Sequence, residues 1–143
     1  MERVIFMTER VVIVGGIRTP IGRFGGTLKN VSSGFLAAHV ITALLNKTGI
    51  HPEQVEEVIL GEVRQTTESS NVARVAAIRA NIPVEVPAFT INRLCASGMQ
   101  AIASGVQQIQ SGQAQIVIAG GTESMSNAPI YLRNSRFGEG NPY

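Results

Sequence analysis

The chain of 143 residues has no tryptophan, and its five phenylalanines and two tyrosines bring aromatics to only 5%. Packing must therefore come from aliphatic and small side chains. Charge is scarce too, at 15%, and the formal net charge of +2 comes from Arg and Lys scattered along the chain. That balance excludes an electrostatic nucleic-acid surface. A single cysteine, Cys95, rules out a disulfide framework and fits a reducing compartment. No apolar run approaches the ~20 residues of a membrane span. The VIF of the opening MERVIFM is too short for the apolar core of a signal peptide. A cytoplasmic location is expected, with neither membrane nor nucleic acid as partner. A second Met at position 7 leaves residues 1–6 as a late start or an appended stretch.

What the chain has is aliphatic runs, within a hydrophobic content of 44%. Four stand out: RVVIVGG (10–16), EVILGEV (57–63), VPAFTIN (86–92) and QIVIAGG (115–121). Each has strand length and β-branched content, with Gly or Pro close by. Three helical segments lie between them. The first, from Ser32 or Ser33 to Gly49, carries Leu36, Val40 and Leu44 on one face. A turn at Pro52 follows. The second helix, SSNVARVAAIRAN, is capped by Ser69, Ser70 or Asn71 and ends near Pro83. The third runs from about Cys95 to Ser111, with Met99, Ile102, Val106 and Ile109 at helical spacing and small residues elsewhere, which predicts a helix enclosed by other elements.

Alternation of strand and helix predicts an α/β fold, a mostly parallel sheet with helices on both faces. Residues 1–121 form this α/β domain. Residues 122–143 are polar, rich in Gly and Asn, and have no closing strand or helix. A tail of that kind is unusual in a complete domain, so the α/β domain is expected to be incomplete and the chain to stop mid-protein.

Cys95 lies in NRLCASGM, at the joint between the third run and the third helix. A cysteine in a helix's first turn meets unpaired N–H groups and the positive end of the macrodipole. Both favour thiolate over thiol and make the sulfur a usable nucleophile, and the same N–H groups can hold an oxyanion. The alternative is a buried structural cysteine. VVIVGGIRTPIG lacks the G-x-G-x-x-G order of a dinucleotide loop, and FGG and AGGTES lack the Lys-Ser/Thr of a phosphate loop. Of the two histidines, His39 lies in the first helix beside core positions and His51 precedes Pro52 in a connection, so packing or solvation accounts for each. The chain thus offers a nucleophile without an evident base. Glu123, after the fourth run, could orient a site, pair with an arginine such as Arg74, or simply be solvated.

Taken together, these stretches resemble the N-terminal part of the thiolases. VVIVGGIRTPIGRFGGTL is similar to the family's opening strand and its R-T-P-x-G-x-F-G-G loop. SSNVARVAAIRANIPVEVPAFTIN resembles its N-x-A-R helix and the strand leading to the nucleophile. NRLCASGMQAI resembles its N-x-x-C-x-S-G signature, and QIVIAGGTESMSNAPI its A-G-G-x-E-S-M-S strand and loop. Ala96 is a common variant of Gly, and Thr122 stands where Met is frequent. The resemblance spans residues 10–131 at least.

It implies the N-terminal half of a thiolase fold, two similar α/β domains packed as five layers with the nucleophile on a central buried helix. Residues 122–143 would begin the loop domain. It implies that Cys95 takes the acyl group of an acyl-CoA as a thioester, with its backbone N–H in the oxyanion hole. A second acetyl-CoA then gives acetoacetyl-CoA, or CoA cleaves a 3-ketoacyl-CoA in reverse. The implied function is that of an acetyl-CoA C-acetyltransferase using coenzyme A thioesters as substrates and no further cofactor or metal. Its partners would be acyl-CoA, CoA and, from the S-N-A-P-x-Y-L run, copies of itself in a tetramer or dimer. The family's G-H-P histidine, C-x-G-G cysteine and N-E-A-F segment lie further along than this chain, which alone is expected to be inactive. Alternatives are a 3-ketoacyl-CoA thiolase of fatty-acid breakdown, a ketoacyl synthase-like condensing enzyme, and a non-catalytic interaction module.

Overall fold

A computed structural model describes residues 10–132, so residues 1–6 and the second half of the tail, residues 133–143, lie outside the described residues. Three strands, β1 (Glu57–Gly61), β2 (Ala88–Ile91) and β3 (Val117–Gly121), pair in parallel in the order β2–β1–β3. The run EVILG, apolar after its leading Glu57, becomes the central strand, and all five of its residues are buried. It alone has neighbours on both edges, which is where a continuous aliphatic strand is stable.

Helices α1 (Ser33–Thr48), α2 (Val72–Arg79) and α3 (Ser97–Gln110) cover the sheet. The chain passes from β1 through α2 to β2, then back across β1 through α3 to β3. Right-handed crossovers in opposite directions place their helices on opposite faces. Strand alternation records this. Val58, Leu60, Ala88 and Ile118 cluster with Ala37, Ala38 and Ile41 of α1 and with Val72, Ala73 and Ala76 of α2. Val117 and Ala119 face the other way, where Gly105 of α3 comes close enough that an added Cβ would sit 3.2 and 3.5 Å from them.

Local chemistry sets the helix ends. Gly49 takes φ 71° beyond α1 and donates its N–H to the Leu45 carbonyl at 2.9 Å, a conformation that glycine adopts without a Cβ penalty. Asn71 caps α2: its Oδ1 accepts from Arg74 N at 3.1 Å and from Thr90 Oγ1 at 2.9 Å, and its Nδ2 donates to the Ala88 carbonyl at 3.0 Å. One side chain thus ties α2 to β2. Ser32 precedes α1 but makes no side-chain cap. The buried stripe of α1 is Ala37, Ala38, Ile41 and Leu45, one position round from the predicted one; Leu36, Val40 and Leu44 are half-buried.

Two expectations fail here. Residues 10–16 form no strand, and Val12, Ile13 and Val14 are 69%, 81% and 72% exposed. A strand is held by its ladder, and this run has no partner in the three-stranded sheet. It passes instead along the end of α1, where Lys47 Nζ donates to the Gly16 carbonyl at 3.2 Å. Nor is α3 enclosed. Ser97, Ala101 and Gly105 pack on the sheet, while Met99 is 72% exposed on the opposite side. Among the described residues its small side chains pack closely on one face, and no described element covers the other.

Candidate active site

Parallel register brings three strand ends level: Gly61 pairs with Ile91 on one side and Gly121 on the other. The loops that leave those ends carry Glu62, Val63 and Arg64, then Asn92 to Cys95, then Thr122 to Ser124. Ligand sites in parallel sheets are built at such carboxyl ends.

Close approach makes the meeting possible. A Cβ on Gly61 would lie 2.5 Å from the Ser97 carbonyl carbon and 2.7 Å from Gly98 N, so α3 starts directly on the central strand. Between β2 and α3 the chain makes one tight turn. Asn92 Oδ1 accepts the Leu94 N–H at 3.0 Å, and its Nδ2 donates to the Val63 carbonyl at 3.1 Å. The buried Ser97 hydroxyl accepts from Arg93 N at 2.8 Å and donates to the Leu94 carbonyl at 2.6 Å. Held from both sides, Leu94 sits at φ 50°. That region costs a non-glycine residue about 1–2 kcal/mol.

Cys95 follows, exposed, with its backbone N–H donating to no acceptor among the described residues. It was expected in the first turn of the helix. It lies two residues earlier, before the N-cap Ala96, because the Arg93–Ser97 turn intervenes. Among the described residues nothing buries it, as a structural cysteine would require.

Glu123 does not pair with Arg74. Its Oε2 accepts from Val63 N at 2.8 Å and its Oε1 from Arg64 N at 3.3 Å. Arg74 is engaged elsewhere, donating from Nη2 to the Val86 carbonyl at 2.6 Å. Both histidines are exposed: His39 on α1, and His51 beside Pro52, where its N–H donates to Gln54 Oε1 at 2.9 Å. Neither shares a hydrogen bond with Cys95 among the described residues. A cavity of about 810 Å³ lies between residues 15–28 and α1, bordered by Thr122–Ser126; Cys95 is not on its wall.

Glu62 went unnoticed in the sequence. It is 1% exposed, and neither carboxylate oxygen has a hydrogen-bond partner. Burial pushes its carboxyl above the usual range; the nearby Ser33 hydroxyl opposes this, and the charge of Glu123 adds to it. The available signal was an acid placed directly after an all-apolar run. Asn92 was read only as a letter of a motif, and its span from β1 to the turn follows from pairing that no local pattern shows.

With this geometry in place, comparison with known proteins decides the family. The family model for the thiolase N-terminal domain matches residues 11–141. The chain belongs to the thiolase family. It is 51% identical over 132 residues to an acetyl-CoA acetyltransferase of Syntrophomonas wolfei subsp. wolfei, covering 92% of this chain and 33% of that thiolase relative. A probable acetyl-CoA acyltransferase of Staphylococcus epidermidis is 48% identical over 130 residues, 91% of this chain and 33% of the relative. Among solved structures, the Bacillus anthracis acetyl-CoA acetyltransferase superposes with a TM-score of 0.89 at 46% identity, over 92% of this chain and 34% of that one. Human mitochondrial 3-ketoacyl-CoA thiolase, solved with CoA, gives a TM-score of 0.81 at 46% identity, over 85% and 31%. The chain therefore spans about a third of the length of these relatives. Asn92 and Ser97, two letters of the stretch that resembles the thiolase N-x-x-C-x-S-G pattern, hold the turn that carries Cys95.

Proposed function

We propose that this chain supplies the nucleophile of an acyl-CoA C-acyltransferase, with Cys95 forming the acyl thioester. The observation that carries the reading is an exposed lone thiol two residues before α3, on a turn held by Asn92 and Ser97 of the stretch that resembles the thiolase signature. Its sulfur attacks the thioester carbonyl of an acyl-CoA. The carbonyl oxygen becomes an oxyanion, and the Cys95 N–H is a donor suited to it. Collapse breaks the carbon–sulfur bond to CoA, which leaves as a thiolate and takes up a proton, while the acyl group remains on Cys95. Condensation then needs a base to remove a proton from the methyl group of a second acetyl-CoA. The carbanion attacks the Cys95 thioester, and the Cys95 thiolate leaves. His39 and His51 are not placed for that base.

The expected result is one acetyl group per chain, on Cys95, after incubation with excess acetyl-CoA. It should form faster than on a cysteine peptide and be labile to hydroxylamine, and Cys95→Ser should take up none. No acetoacetyl-CoA should appear. Acetylation at the peptide's rate, or at another residue, would remove the assignment. Because the human 3-ketoacyl-CoA thiolase matches at the same 46% identity as the Bacillus anthracis acetyltransferase, a longer-chain acyl donor is the second reading. Relative rates with acetyl-CoA and a long-chain acyl-CoA separate the two. We further place the protein in a homo-oligomer. Ile130, Tyr131 and Leu132 form a consecutive apolar run, 85%, 59% and 48% exposed, fit to be covered by another copy. Sedimentation measures that directly. A cytoplasmic location belongs to the same reading; among the described residues no helix is long and apolar enough to cross a membrane.

A further inference from the structure

Acyl transfer to Cys95 leaves unexplained why an acid from the loop after β3 is spent on two backbone amides after β1. We propose that Glu123 is a positioning residue for Cys95, acting through the Val63–Arg64 backbone and the Asn92 side chain. This rests on the acyl-transfer reading, since the placement of the thiol matters only if it is the nucleophile.

Each link is a hydrogen bond. Glu123 accepts from Val63 N at 2.8 Å and from Arg64 N at 3.3 Å, so two consecutive peptides are gripped by one carboxylate. The Val63 carbonyl, on the same gripped stretch, accepts Asn92 Nδ2 at 3.1 Å. The other end of that amide accepts Leu94 N at 3.0 Å, and Cys95 is the next residue. Rotating the Asn92 amide by half a turn would set donor against donor at Leu94 and acceptor against acceptor at Val63, so the two contacts fix its orientation together.

The relay has something to hold. Leu94 at φ 50° returns to a commoner conformation unless its surroundings over-determine it. Ser97 grips the turn from α3, on the helix that Cys95 itself precedes. The Asn92 grip comes from outside, and it is only as firm as the Val63 carbonyl it pulls against. An acid suits the role of Glu123 because both of its oxygens accept. A glutamine would point an NH₂ group at one of the two N–H donors.

Cys95 is the only thiol, so alkylation of the 143-residue chain by iodoacetamide reports on it alone. A held turn keeps the sulfur in one orientation at the start of α3, and a loosened one averages over many and reacts more slowly. Glu123→Ala is expected to slow alkylation about fivefold. Asn92→Asp keeps the acceptor for Leu94 but loses the donor to Val63, and should slow it by a similar factor. If both act on one relay, the double variant is no slower than either single variant, whereas independent effects multiply to about twenty-five-fold. Adding Leu94→Gly to Glu123→Ala should restore the rate to within about twofold of the parent, because glycine holds a positive φ without help. Rates are compared well below each variant's urea midpoint; should Glu123→Ala not fold, Glu123→Gln takes its place. Parental rates in the single variants, multiplying effects, or no rescue by glycine would overturn the proposal. A loss of stability with an unchanged rate of the folded chain counts against it as well. The parent's rate against a cysteine peptide judges the nucleophile reading separately, since the relay is read only from ratios between variants.

Discussion

At Gly61 the structure leaves no room for one more carbon. The added Cβ would stand 2.5–2.7 Å from the backbone of Ser97 and Gly98, which must shift because main chain cannot swing away as a side chain can. Gly61→Ala is expected to cost about 1–3 kcal/mol in a urea titration, as overpacking does. An unchanged midpoint would mean that α3 does not start on the central strand. The next residue carries a different burden. Burial raises the carboxyl of Glu62 above its ordinary 4.5, and that of Glu57 likewise. A raised folded value means that the native state keeps a proton the unfolded chain has released. The contribution of these two groups to stability is then fully present below about 4.5, is lost as pH rises through their folded values, and stays lost above them. Glu62→Gln, neutral at every pH, should flatten most of that fall and unfold at higher urea than the parent at neutral pH. Equal slopes for parent and variant would show that Glu62 is ionised and solvated in the native state. In the sequence Gly61 is legible only as strand punctuation and Glu62 only as an acid after an apolar run, because both matter through neighbours about 35 and 60 residues away.

Elements were more legible than their ends. All three helices lie where periodicity puts them, and Gly49 closes α1 as its position suggests. Ser32 and Asn71 looked alike as caps, yet only one acts. Asn71 makes three hydrogen bonds across α2 and β2, whereas the buried Ser32 hydroxyl makes none. Asn71→Ala should therefore cost about 1–2 kcal/mol, and Ser32→Ala should be neutral or slightly stabilising, since it removes an unsatisfied buried group. Thermal melts of the two variants check the contrast, and equal losses would refute it. The joint before α3 shows the same limit at the site itself. NRLC was correctly read as lying between strand and helix. That the helix begins only at Ser97 depends on the Ser97 hydroxyl bonding Arg93 and Leu94, a contact without periodicity to announce it. Likewise the small residues of α3 announced close packing, and Gly105 and Ala101 deliver it against the sheet.

Over the whole molecule, strand–helix alternation was enough to give a parallel sheet with helices on both faces, because crossover handedness leaves little choice once the elements are known. The first aliphatic run was not decidable in that way. RVVIVGG has better strand composition than AFTI, yet AFTI pairs with β1 and RVVIVGG with nothing among the described residues. Propensity belongs to the local chain, while a ladder needs the run to lie along a strand edge, and residues 10–16 pair with neither outer edge of the sheet, that of β2 or that of β3. Amide hydrogen exchange should display the difference. Val58, Ile59 and Leu60, buried and bonded on both sides, open only with the whole fold and should exchange slowest. Val12, Ile13 and Val14 should exchange at the rate of an unstructured peptide, at least roughly a thousandfold faster if the domain has ordinary stability. Strong protection at Val12–Val14 would instead mean that the run finds a strand partner in solution, either in a second copy or elsewhere in its own chain. A concentration series separates the two, since only pairing between copies weakens on dilution.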